Sequence, residues 1–229
     1  MNLLKCPLLL FLVLSVGACR SGLVEPNPPQ TVSERPTKTQ SSKLVQPGAP
    51  GEPTRRIDIA TATDLSGIRY TEADAQFMQG MIAHHAQALE MTSLLYDRTN
   101  WQSIRLLAQR IDVSQADEIN MMQSWLSARG EKVPNIDDHH AHGSTLMPGM
   151  LTPEHMSKLA NATGTEFDKL FLEYMIMHHQ GAVIMVEALF ASPGAAQESQ
   201  IFYFASDVVS DQNMEITRMR RMRGALENK

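Results

Sequence analysis

Phe77, Met81, His84, Ala88, Met91 and Leu95 follow one another at alternating steps of four and three, the spacing of a helix that buries a single stripe against neighbours. Phe171, Met175, His178, Ala182, Met185 and Leu189 draw the same stripe 94 positions later. The match extends to the residues between: DAQFMQGMIAHHAQALEM at 74–91 aligns without a gap on DKLFLEYMIMHHQGAVIM at 168–185. Each stripe is followed by a second periodic segment. The first holds Trp101, Ile104, Ala108, Ile111, Gln115, Glu118, Met122 and Trp125, with Gly130 as its stop; the second holds Ala205, Val208, Gln212, Glu215, Met219 and Met222. Nowhere does the chain alternate apolar and polar residues as a half-buried strand would.

Thr71-Glu72-Ala73-Asp74 has the form of a capping box at the start of the first stripe, and Thr165-Glu166-Phe167-Asp168 repeats it at the second. A crossover at 131–164 joins the halves and contains a short extra helix from Thr152, with Pro153 at its first position. The predicted fold is all-α, a ferritin-like four-helix bundle made of two similar helical hairpins. Its domain spans 67–229.

Polar residues on the buried stripes bring chemistry into this picture. His84 and His178 point inward on these registers, as do Gln115, Glu118, Gln212 and Glu215. Burying an unpartnered imidazole, amide or carboxylate costs on the order of a few kcal/mol, so these groups need each other, water or a metal. Two readings follow: a hydrogen-bonded layer that fixes helix register, or a metal held by His84, Glu118, His178 and Glu215 or a subset of them with methionines. His85 and His179 fall about 100° round the helix, which places them at the flank, toward an outer groove.

Methionine decides which metal suits such a site. The chain has 15 methionines, and Met81 and Met175 each stand three positions before a stripe histidine, where a di-iron bundle has glutamate. Thioether with imidazole suits copper, Cu(I) above all, better than iron, magnesium or calcium. Met91 and Met185 close each copy and join His85 and His179 in this candidate set. Met121, Met122, Met214, Met219 and Met222 read as core packing. The crossover adds a second cluster, His139, His140, His142, Met147, Met150, His155 and Met156, whose methionines stand in a polar loop with no core to fill.

Residues 1–18 combine one lysine with an apolar run too short to span a bilayer and read as an export signal. Val16-Gly17-Ala18-Cys19 looks like a bacterial lipobox, which makes Cys19 the lipid-bearing first residue; the alternative is an ordinary cleaved signal. Cys6 leaves with the signal, so disulfides and thiolate metal sites are excluded from the domain. Residues 19–66, rich in Pro, Ser and Thr at their start, read as a disordered tether between lipid and domain. A hydrophobic fraction of 43% suits a packed core, and a net charge of −5 argues against nucleic acid as a partner.

The twice-occurring M-I-x-H-H-x-x-A-x-x-M, the segment Met147-Pro148-Gly149-Met150-Leu151-Thr152 and Gln115-x-x-Glu118-Ile119-x-x-Met122 resemble the domain-of-unknown-function 305 family over about 68–226. That resemblance implies a ferritin-like domain, typically exported, with some members similar to periplasmic copper-binding proteins. The expectation is a lipid-anchored extracytoplasmic protein that sequesters or delivers copper by binding rather than turnover, with a metal-transfer partner left unidentified. The competing readings are a ferritin-like two-metal oxidase or peroxidase, and a bundle that binds partners without metal.

Overall fold

The computed structural model describes residues 44–46, 53–135 and 146–227. The chain divides into two units, Met1–Ala62 and Thr63–Lys229. In the first, β1 (Leu44–Gln46) and β2 (Arg55–Ile57) form an antiparallel pair with Leu44 opposite Ile57 and Gln46 opposite Arg55. The pair falls inside the stretch read as a tether, where Leu44, Val45 and Ile57 carry the β-propensity for one short ladder. Leu44 and Val45 stay exposed, so the pair has no buried face. The short helix α1 (Ile59–Thr63) follows and buries nothing.

The second unit is helical. Its long helices are α2 (Glu72–Ser93), α3 (Gln102–Ala128), α5 (Gly164–Ala191) and α6 (Ser199–Glu227), with the short α4 (Pro153–Asn161) before α5. α3 runs back along α2, α6 back along α5, and α2 packs on α5. Among the described residues no helix is long and apolar enough to cross a membrane.

Local chemistry sets the helix ends. Thr71 and Asp74 form the capping box, Asp74 Oδ2 accepting from the Thr71 backbone N–H at 2.7 Å while Thr71 Oγ1 accepts from the Asp74 N–H at 3.3 Å. The second half does not repeat this arrangement. α5 starts earlier than expected, with Thr163 at its N-cap and no side-chain capping bond, because Gly164, at φ +57°, turns the chain into the helix before Thr165. α3 ends in a Schellman turn: Gly130 takes φ +70°, its N–H bonds the Ser127 carbonyl and the Glu131 N–H bonds that of Leu126. α4 begins at Pro153, with Thr152 Oγ1 accepting from the His155 N–H.

The apolar core comes in two clusters, divided across the length of the helices. One gathers Ala88 and Met91 of α2 with Leu95 just beyond its end, Ile104 to Ile111 of α3, Phe167 to Ile176 of α5 and Ile216 to Leu226 of α6. The other gathers Phe77 to Ile82 of α2, Ile119 to Leu126 of α3, Ala182 to Leu189 of α5 and Ile201 to Val208 of α6. Between them every long helix places polar residues: His84 and His85, Gln115 and Glu118, His178 and His179, Gln212 and Glu215.

Asp74 is fully buried, and its Oδ1 also accepts from the Ala196 N–H at 2.7 Å, holding the turn where Ala196 sits at φ +55°. Thr71→Ala is therefore expected to cost about 1 kcal/mol. Asp74→Ala, which loses the cap and strands a buried N–H, should cost about 2–3 kcal/mol, and urea denaturation of the two variants measures the difference.

Candidate metal centre

Four imidazoles occupy the polar layer, and all four are fully buried. For His85 and His179 this corrects the flank position read from the sequence. At mid-height α2 is hemmed in by both α3 and α5, and α5 by both α2 and α6, so two adjacent helical positions each meet a neighbour. His85 Nε2 meets Glu118 Oε2 on α3 at 2.5 Å, and His179 Nε2 meets Glu215 Oε2 on α6 at 2.6 Å. The carboxylates thus serve the second histidine of each pair, not His84 and His178. Glu118 keeps some exposure and Glu215 almost none, while Arg110 approaches Glu215 at 3.8 Å from the surface. Asp211 sits beside both glutamates; burial and then their negative charge push its carboxyl above the usual range.

His84 and His178 face each other across the α2/α5 contact with ring centroids 3.9 Å apart and planes tilted by 38°. His84 Nε2 donates to the Pro148 carbonyl at 3.0 Å, while its Nδ1 and both ring nitrogens of His178 lack hydrogen-bond partners. Burial, reinforced by the neighbouring imidazoles, pushes His84 down to about 3 and His178 well below its ordinary value. Both rings are therefore neutral at physiological pH and keep free lone pairs, the form in which imidazole ligates metal.

Residues 147–151 lie over this pair as a strap. Leu151 is clamped by Gln87, whose Oε1 accepts from its N–H at 2.7 Å and whose Nε2 donates to its carbonyl at 3.0 Å. Gly149, at φ +75°, and Pro148 cross α5 at Gly181, where an added Cβ would stand 1.9 Å from the Pro148 carbonyl oxygen. Position 181 of the second copy aligns with position 87 of the first. One copy supplies the amide that holds the strap, the other the bare backbone that lets it pass.

The remaining candidates divide. Met147 Sδ and the Met185 methyl both approach Gly80 of α2. Met81 lies inside one apolar cluster, and Met91 and Met175 inside the other. The expectation that the crossover methionines have no core to fill is corrected for two of them: Met150 of the strap is buried and Met156, on α4, packs against the first cluster, while the His155 ring lies 5.0 Å from that of Tyr174. Met122, Met219 and Met222 are core residues as expected, and Met121 packs partly buried, but Met214 is half exposed and fills nothing. Cys19, the leader and His139, His140 and His142 lie outside the described residues. Sequence reasoning missed Gln87, Gly181, Gly80 and the Pro148 carbonyl; the Gln-to-Gly difference between the aligned copies was the available signal.

Among the described residues no group of three His, Cys, Asp or Glu side chains gathers to hold a metal ion unaided. The donors that remain are neutral imidazole, thioether and carbonyl. Thioether and imidazole suit Cu(I), which also accepts low coordination numbers.

Comparison with known proteins places this geometry. Residues 74–223 match the family described as "Domain of unknown function (DUF305)". The chain belongs to that family. The structure is similar to a DUF305 protein of Streptomyces coelicolor assigned as secreted, at 30% identity and TM-score 0.60, covering 68% of this chain and 94% of that one. It is also similar to a DUF305 fragment from Deinococcus radiodurans, at 29% identity and TM-score 0.59, covering 68% and 98%. A third likeness is to CopM in its Cu(II)-bound form, at 26% identity and TM-score 0.55, covering 66% and 96%; CopM in its Cu(I)-bound form gives 25% and 0.53, covering 69% and 98%. An uncharacterized mimivirus protein, L153, is 43% identical over 56 residues; the match spans 24% of this chain and 37% of the length of that relative.

Two outcomes are expected of the DUF305 domain. Gly181→Ala should displace the strap and lower stability by about 1–3 kcal/mol in thermal or urea denaturation. The acid response follows from His84: the unfolded chain takes up a proton near 6.5 that the folded chain refuses until about 3, so stability rises with pH between those values and is lost as pH falls through them. His84→Gln should make that slope shallower in denaturation curves taken from pH 7 to pH 4.

Proposed function

We propose that this DUF305 protein is an extracytoplasmic copper-binding protein that holds or hands on the ion without catalysing a reaction. The observation that carries the reading is the closely facing His84/His178 pair, kept neutral by burial and left with free ring nitrogens. Its family context supports it, since CopM was solved with copper in both oxidation states. The same reading takes the four long helices as a ferritin-like bundle of two related hairpins, and Cys19 as a lipid attachment that keeps the domain outside the cytoplasm. The likeness to a protein assigned as secreted supports that location.

The polar layer then has two separate duties. His85–Glu118 and His179–Glu215 pair through Nε2 and fix the register of each hairpin, leaving Nδ1 of each of these two histidines without a hydrogen-bond partner. His84 and His178 are left for the ion. The methionines preceding them, Met81 and Met175, are buried as completely as the two histidines and pack within the apolar clusters.

Anaerobic titration of the domain with Cu(I), in competition with a chromogenic chelator, tests this. At least one ion should bind per chain, and His84→Ala/His178→Ala should weaken binding by more than tenfold. Binding to the native state should also raise the melting temperature, by about 2.7 kcal/mol of added stability at a hundredfold excess over Kd. Unchanged affinity in the double variant would remove the histidine pair from the site.

A further inference from the structure

We propose that Met147 of the crossover and Met185 of α5 form a second, solvent-accessible soft-cation site over Gly80 of α2, with Gly80 as its positioning residue. The proposal rests on the copper reading above and assigns where the ion first meets the protein. A Cβ at Gly80 would lie 3.2 Å from Met147 Sδ and 3.5 Å from the Met185 methyl. The ends of both methionine side chains therefore converge on one bare patch of helix, which any side chain would fill.

Burial separates these two methionines from the core fillers. Met78, Met81, Met91, Met122 and Met175 are fully enclosed, as expected of a flexible apolar residue used for packing. Met147 and Met185 are only half-buried, so part of each side chain meets solvent. Met147 belongs to neither apolar cluster, while Met185 lies at the margin of one.

The aligned copies differ at this spot. Met91 is the counterpart of Met185, and it is sealed in the core. Tyr174 is the counterpart of Gly80, and its ring packs against His155 where Gly80 leaves space. Only one of two equivalent places has lost its side chain, opened its methionine and received a third residue from the crossover. The missing side chain makes room for Met147 beside Met185, and two thioethers side by side suit a Cu(I)-class ion.

The position also connects to the buried pair. Gly80 lies one turn before His84 on α2, and Met147 directly precedes Pro148, whose carbonyl accepts the His84 Nε2–H bond. An ion at the methionines thus sits one turn of α2 from the imidazoles, at the edge of the strap that covers them.

The test uses Ag(I) as the probe, in chloride-free buffer, with the domain labelled at its methionine methyl groups. The Met147 and Met185 resonances, assigned through Met147→Leu and Met185→Leu, should shift together at substoichiometric Ag(I). Met147→Leu/Met185→Leu should lose one bound ion or bind at least tenfold more weakly, and Gly80→Leu should do the same while its melting temperature stays within a few degrees of the parent. His84→Ala/His178→Ala should leave both methyl shifts in place. If Ag(I) binds but these methyls stay fixed, or the methionine variants bind as the parent does, this site is overturned while the histidine site stands. If neither Ag(I) nor Cu(I) binds the domain at all, both fall.

Discussion

Placing four imidazoles out of reach of water at the middle of a helical core governs how everything else in the domain is arranged. A buried imidazole with no partner is expensive, and each helix answers with a specific neighbour. Glu118 and Glu215 answer for one nitrogen each of His85 and His179. The Pro148 carbonyl answers for one nitrogen of His84, which requires the strap, and the strap requires Gln87 on one side and a glycine at 181 on the other. His178 receives only the face of His84. Because the apolar clusters lie above and below this layer, sliding one helix by a turn would bring histidine into a cluster and methionine against glutamate.

Most of the helical frame was legible from spacing. The stripe residues Phe77, Met81, Ala88 and Met91 are buried where period counting placed them, and the Thr71–Asp74 box and Pro153 start mark real helix ends. The site was legible in its residues but not in its pairings. A single helix assigns one inward direction, and on that basis His84 faces in while His85 does not. In the folded domain α2 has neighbours on two sides, so residues 100° apart are both interior, and the second histidine, not the first, reaches the carboxylate. No periodicity argument contains the second neighbour.

The strap shows a different limit. Its partners are backbone groups and glycines, which carry no hydrophobic pattern and no side-chain chemistry. Gly181 is informative only when set beside Gln87, and Gly80 only beside Tyr174. Alignment of the chain with itself, rather than a reading of each helix alone, marks the places where the two matching segments differ.

Neither hairpin owns a core. Each apolar cluster draws segments from α2, α3, α5 and α6 alike, so the boundary between clusters runs across both hairpins rather than between them. A lone α2/α3 hairpin would leave its share of both clusters facing water, and the same holds for α5/α6. In assembly terms the domain is a dimer whose two subunits happen to be joined, and the crossover that carries the strap is also the link that makes their association intramolecular.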